Sequence, residues 1–265
     1  MPIQFHHKPG LVVYLTAGDP SLDVTRKIAI AAIDAGADVI ELGVPFSDPL
    51  ADGPIIQRAM ERALAHGAKH RGAWLKDVLA VAHEIRAVRP DAGLVIFSYL
   101  NPILRYGMGR FADDAKAAGA DGVLATDMIV EEAAEYLAEL GRVGLAPIFL
   151  AAPTSPDARL EAIAANSKGF IYAISRTGIT GTQQSVAADA ASLVARIRQW
   201  SKLPVAVGFG ISNAEHVAQV AEFADAAVIG SAIVELVERS TPESAPAAVA
   251  RFIRGLRLHD AALAP

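Results

Sequence analysis

Eight short apolar runs, each followed by a stretch with helical spacing, restrict this chain to very few folds. The runs are LVVYLTAG (11–18), ADVIELGV (37–44), GLVIFSYL (93–100), DGVLATD (121–127), APIFLAAP (146–153), GFIYAIS (169–175), PVAVGFG (204–210) and AAVIGS (226–231). They are nearly continuous in apolar residues rather than alternating, as parallel strands covered on both faces are. Between them, segments such as DVTRKIAIAAIDAGA, AWLKDVLAVAHEIRAV, GRFADDAKAAGA, VEEAAEYLAEL, ARLEAIAA, VAADAASLVARIRQW and AEHVAQVAEFA place apolar residues near every 3.6 positions, and several end in glycine. Eight strand–helix units in 265 residues come to roughly 33 residues per unit, which suits an α/β (β/α)8 TIM barrel of ~250 residues. A doubly wound open sheet would typically carry GxGxxG after its first strand, and TAGDPS does not match. Without a linker, low-complexity tract or charge block, residues 1–265 are expected to form one barrel domain. Its parts are a short arm at 1–10, a closing helix in PESAPAAVARFIRGLRLHD and a frayed tail at 259–265.

Composition removes several function classes. The chain is 52% hydrophobic, enough for a substantial core. A net charge of −5 and a pI near 5.8 argue against nucleic acid as a partner, since phosphates call for a basic face. Cysteine is absent, which removes disulfides, thiolate catalysis and cysteine-based metal sites. The seven histidines have no metal-ligand spacing and HExxH does not occur, so no metal is expected. No apolar run approaches the ~20 residues of a membrane helix. The start, MPIQFHHKPG, lacks the charged and apolar segments of a signal peptide. A soluble cytoplasmic protein with no membrane partner is the expectation.

The residues that carry chemistry cluster where a barrel keeps its function, at the C-terminal ends of strands and in the following loops. Glu41 stands inside an apolar strand between Val39, Ile40, Leu42 and Val44, where an ionised carboxylate is costly to bury. A second carboxylate, Asp52, follows eleven positions later in a loop rich in proline and glycine. Two carboxyls in unlike settings are a recurring acid/base arrangement. Glu41 could instead be a structural partner of an arginine, and Asp48 and Asp52 are common turn residues. The remaining strand ends offer Thr16, Tyr99, Asn101, Asp127 and Tyr172, of which the tyrosines suit a pocket lining or, more commonly, a core, and Asp127 suits loop packing. RTGITG, GFG and GS then place Gly178, Gly181, Gly210 and Gly230 beyond the last three strands, with Ser231 opening a helix. Glycine loops ahead of helix N-termini bind phosphate dianions, and phosphate sites after strands seven and eight recur in this fold. Tight turns alone are the competing reading of those glycines.

In order and spacing, YLTAGDP, ELGVPFSDPLADGPIIQRA, YLNPILRYG, SRTGITG, VGFGIS and GSAIVE resemble the tryptophan synthase alpha subunit family over residues 11–240. The resemblance implies a retro-aldol cleavage of indole-3-glycerol phosphate to indole and glyceraldehyde 3-phosphate. It implies that Glu41 is the acid/base and that Asp52 accepts the indole N–H. By the same resemblance Gly181, Gly210, Gly230 and Ser231 hold the phosphate, and Tyr14, Leu124, Tyr172 and Phe209 line the indole pocket. Thr180 matches the threonine of a loop that closes over the substrate and orients Asp52. No cofactor is implied in this chain; pyridoxal phosphate belongs to a partner beta subunit that receives the indole, in an alpha2-beta2 heterotetramer. Three positions depart from the family. The helix that usually plugs the lower mouth of the barrel is not expected in ten residues containing Pro2 and Pro9. Met128 and Ile129 stand where a proline is usual, in a loop that faces the beta subunit in the family. Tyr14 replaces a frequent phenylalanine. A free-standing lyase releasing indole, a silent barrel acting as an allosteric partner, and another phosphosugar enzyme are the alternatives. Retention of both Glu41 and Asp52 speaks against the silent barrel, and no strand ends in a Schiff-base lysine.

Overall fold

The structure, a computed structural model, describes residues 3–66, 74–174, 183–208 and 210–257. Nine strands lie among them: β1 (Gly10–Thr16), β2 (Val39–Gly43), β3 (Gly93–Ser98), β4 (Gly122–Ala125), β5 (Ala146–Ile148), β6 (Leu150–Ala151), β7 (Ile171–Ile174), β8 (Val205–Gly208) and β9 (Ala226–Ile229). Each described pairing is parallel, in the spatial order β5-β4-β3-β2-β1-β9-β8-β7-β6. The two ends of that order, β5 and β6, are consecutive in the chain with Phe149 between them, so the sheet returns on itself as a barrel. The eight expected runs are all strands, and the fifth is split. Pro147 lies in β5 and has no N–H for the ladder, which shortens it. Phe149 is buried at the break with its ring 6.2 Å from Tyr136.

Helices cover the sheet: α1 (Leu22–Asp34), α2 (Pro54–His66), α3 (Trp74–Val88), α4 (Leu100–Tyr106), α5 (Met108–Ala117), α6 (Ala134–Val143), α7 (Asp157–Asn166), α8 (Gln183–Ile197), α9 (Ala214–Ala221), α10 (Ser231–Glu238) and α11 (Ala245–Arg257). Two of them, α2 and α4, have no counterpart in the sequence reading. Pro54 opens α2, where its missing N–H is no loss, and Pro102 sits in the first turn of the short α4. None of the described helices is long and apolar enough to cross a membrane.

Two apolar layers result. The larger lies between the sheet and the helices, and the smaller fills the barrel interior with Val12, Tyr14, Val39, Val95, Phe97, Leu124, Ile148, Ala206 and Val228. Register sets who meets whom inside: Tyr14 lies opposite Glu41, Glu41 opposite Val95, and Phe97 opposite Leu124.

At the N-terminal end of the barrel an Ala–Asp pair opens three strands. Asp38, Asp121 and Asp225 each accept a backbone N–H near the start of a neighbouring strand, from Leu11 (2.8 Å), Leu94 (2.9 Å) and Val205 (2.8 Å). Each also meets an arginine, Arg257 at 2.7 Å, Arg86 at 2.6 Å and Arg198 at 3.2 Å. Residues 3–9 are not helical, as expected. Ile3 is buried, and the Phe5 ring sits 5.9 Å from Phe170, so two apolar side chains fill the lower mouth instead of a helix. Asp38 fastens this arm by accepting from the His6 backbone N–H at 2.8 Å and pairing with His7 Nδ1 at 2.9 Å. Arg257 completes the clamp through the carbonyls of Pro9 (2.6 Å) and Gly36 (2.7 Å). Arg257→Ala takes the guanidinium from the fully buried Asp38 carboxylate, leaving it the His6 and Leu11 N–H groups and His7, and is expected to remove about 3 kcal/mol of stability in urea unfolding. A loss below about 0.5 kcal/mol would make the clamp incidental. The tail at 259–265 lies outside the described residues.

Candidate active site

Glu41 is the middle residue of β2, all of whose residues are buried. Its side chain points into the barrel, and neither carboxyl oxygen has a hydrogen-bond partner among the described residues. Desolvation alone pushes its pKa up to about 8, because burial penalises the charged form. The arginine partner that would have made Glu41 structural is not found among the described residues.

Asp52 reaches the site from the loop between β2 and α2. That loop is tied to itself: the Asp52 N–H donates to the Pro49 carbonyl at 3.0 Å, and Gln57 Nε2 from α2 donates to the Asp52 carbonyl at 2.9 Å. The Tyr99 hydroxyl, at the N-terminus of α4, donates to Asp52 Oδ2 at 2.7 Å and accepts the Ala51 N–H at 3.0 Å. Phe46 lies against the Tyr99 ring with centroids 5.0 Å apart. Burial raises the Asp52 pKa and the Tyr99 bond works in the opposite direction.

The other loop acids have structural partners. Asp48 accepts from Ser47 Oγ at 2.6 Å within its turn, and Asp127 caps α4 by accepting the Leu100 N–H at 2.7 Å.

Above Glu41 lies an aromatic and aliphatic wall. Tyr14 and Phe97 meet edge to face at 5.0 Å, Leu124 is fully buried beside Phe97, and Tyr172 is partly buried in the same cluster. The phenol pKa values of Tyr14 and Tyr172 lie well above the usual range, first through burial and then through the charges of Asp52 and Glu41. Two glycines make room for these phenols. A Cβ at Gly43 would overlap the Tyr14 hydroxyl, and one at Gly208 would come within 2.8 Å of the Tyr172 hydroxyl.

Beside Tyr14, at the end of the neighbouring strand β9, Gly230 precedes α10 and its carbonyl accepts the Ile233 N–H at 2.9 Å. Ser231 is exposed at the first position of that helix. Gly210 is exposed with φ at +66°, a conformation that favours glycine. The N-terminus of α10 thus points its backbone dipole toward the mouth, where an anion is stabilised.

A sequence profile described as tryptophan synthase alpha chain matches residues 3–262. The chain belongs to this family. The alpha chain of Solibacter usitatus is 49% identical over 239 residues, 90% of this chain and 87% of that one. That of Geobacter sulfurreducens is 46% identical over 255 residues, covering 96% and 94%. Among crystal structures, tryptophan synthase subunit alpha from Legionella pneumophila superposes with a TM-score of 0.83 at 37% identity, covering 94% of this chain and 91% of that chain. The tryptophan synthase complex from Pyrococcus furiosus gives 0.82 at 35% identity, covering 94% and 98%.

Of the residues that the alpha-chain motifs single out, Glu41, Asp52, Tyr14, Leu124, Tyr172, Gly210, Gly230 and Ser231 are described. Thr180, Gly181 and Phe209 lie outside the described residues. Two residues that the structure places beside Asp52 and Tyr14 have little or no signal in the sequence. Tyr99 reads as a pocket-lining or core tyrosine, and its bond to Asp52 spans 47 positions. Phe97 carried no separate signal within GLVIFSYL. No group of three or more metal-ligating residues occurs among the described residues.

Proposed function

We infer that this chain cleaves indole-3-glycerol phosphate to indole and glyceraldehyde 3-phosphate, the alpha reaction of tryptophan synthase. The observation that carries the reading is Glu41, a fully buried carboxyl without a partner among the described residues that keeps its proton up to about pH 8, beside an apolar wall. Breaking the bond at C3 of the indole requires a proton on that carbon. Neutral Glu41 gives it, and the C3–C bond then breaks as the glycerol hydroxyl becomes the aldehyde. The hydroxyl proton passes to the Glu41 carboxylate, so the carboxyl ends the cycle neutral. Asp52 accepts the indole N–H and steadies the positive charge that protonation at C3 creates on the ring. Tyr99 holds Asp52 Oδ2, which leaves the other oxygen for the substrate.

Tyr14, Phe97, Leu124 and Tyr172 receive the indole, with Phe209 as a further ring contact. The phosphate rests on backbone N–H groups at Gly230 and Ser231, helped by Gly210 and Gly181, and Thr180 closes the loop over Asp52. A pyridoxal-phosphate beta subunit takes the indole, in an alpha2-beta2 assembly; this chain itself needs no cofactor. The alpha-chain relatives on both comparisons support this reading over a free-standing lyase or a silent barrel. Indole release by the purified chain, measured alone and with a beta subunit, tests it. Turnover that rises at least tenfold with the partner is expected. High unassisted turnover selects the free-standing lyase, and no turnover with or without the partner defeats the assignment.

A further inference from the structure

The barrel interior holds an acceptor without a donor beside a donor without an acceptor. Glu41 and Tyr14 are direct partners across β1 and β2, and both are buried. Neither Glu41 oxygen has a partner among the described residues. The Tyr14 oxygen receives a long bond from Thr16 Oγ1 at 3.4 Å, which uses a lone pair and leaves the phenol proton without an acceptor among the described residues. A buried donor and a buried acceptor each lose free energy when left unmade. The arrangement is tolerable here only while Glu41 is neutral, since a neutral carboxyl asks far less of its surroundings than a carboxylate.

Glu41 must become a carboxylate once per turnover, after its proton has gone to the substrate. We propose that the Tyr14 hydroxyl donates a hydrogen bond to Glu41 in that ionised state, so that Tyr14 is a positioning residue for the proton transfer. The proposal rests on the proton-carrying role given to Glu41 above. Gly43 is what permits it, because any Cβ there would overlap the Tyr14 hydroxyl and push it away from β2. The other groups facing this space are Tyr172 from β7, Asp52 from the loop after β2, and Tyr99 at the start of α4. The charge of Asp52 acts on the Tyr14 phenol more strongly than that of Glu41, but during turnover the Asp52 oxygens are taken by the Tyr99 hydroxyl at 2.7 Å and by the indole N–H, which leaves Glu41 as the acceptor for the Tyr14 proton. Tyr172 lies against β8 at Gly208, on the far side from β2.

A bond to the charged form lowers a carboxyl's pKa, so deleting the donor raises it. The protonated Glu41 carbonyl gives an infrared band that can be followed with pH in the whole protein without substrate, and Glu41→Gln identifies it by its loss. In Tyr14→Phe, which keeps the ring against Phe97, the midpoint of that band is expected to rise by about one pH unit. The alkaline limb of kcat should move up with it, with kcat about tenfold lower and KM within about twofold. Gly43→Ala displaces the hydroxyl without deleting it and should raise the midpoint in the same direction, which keeps the test open if Tyr14→Phe folds poorly. An unchanged midpoint in both variants overturns the proposal. Because the titration uses no substrate, a wrong assignment of the reaction would leave the midpoint shift intact and appear only in the turnover assay.

Discussion

Glu41→Gln is expected to lose indole release by at least ~10²–10⁴-fold, the usual contribution of one positioned acid/base group, while becoming the more stable protein at alkaline pH. The two effects share one cause. Glutamine cannot carry a proton to C3, and it also removes a carboxyl whose ionisation the barrel interior opposes by desolvation. Folded Glu41 titrates at about 8, against about 4.3 in an unfolded chain. Between those values the folded state binds the extra proton, so wild-type stability falls as pH rises from about 4.3 to about 8 and is lowest above it. The loss is on the order of a few kcal/mol. Glutamine has no such dependence. Its buried amide is also unpartnered and costs something at every pH, so the two proteins should be similar near pH 5 and diverge toward pH 9. Chemical denaturation at both pH values gives the difference. Parallel curves would mean that folded Glu41 titrates no higher than in the unfolded chain, and near wild-type turnover would remove it from the mechanism.

The barrel itself was legible because its strands are short, apolar and spaced at regular intervals, and period and punctuation are local properties. Glu41 was legible for a related reason: it contradicts its own strand, and such a local conflict marks function, whereas Asp52 alone reads as a turn residue and gained its role from the resemblance. What escaped were features made by distant residues or hidden by local breakers. Helix α2 begins at a proline after a loop of prolines and glycines, and α4 holds too few turns for a period to show. The split of the fifth strand depends on which neighbours β5 and β6 each find. Ile3 and Phe5 read as arm residues, yet the open lower mouth makes them a plug. Tyr99 looked like any strand-end tyrosine until the fold carried the Asp52 loop across to its hydroxyl.

That bond shapes the second large effect. Asp52→Asn is expected to lower kcat about 10²- to 10³-fold, the range for removing one group that meets developing charge. Asparagine keeps the size of the side chain but exchanges one oxygen for an amide donor, and Tyr99 turns that exchange into a conflict. If the remaining oxygen accepts from Tyr99 as Oδ2 does now, the amide N–H₂ faces the indole N–H, donor against donor. If the side chain flips to offer its oxygen to the indole, the Tyr99 hydroxyl loses its acceptor and must take an amide hydrogen beside the Ala51 N–H it already accepts. Neither orientation restores the negative charge that answers the protonated ring, and hydrogen bonds to a charged acceptor are roughly twice as strong as neutral ones. Tyr99→Phe alone removes the positioning contact without the charge and should lose only about tenfold. In the Tyr99→Phe background the asparagine is free to turn its oxygen to the substrate, so the double variant should retain more activity than the product of the two single losses. Strictly multiplicative losses would show that Tyr99 does not orient Asp52 during turnover, and an Asp52→Asn enzyme with unchanged kcat would leave the indole N–H without its partner.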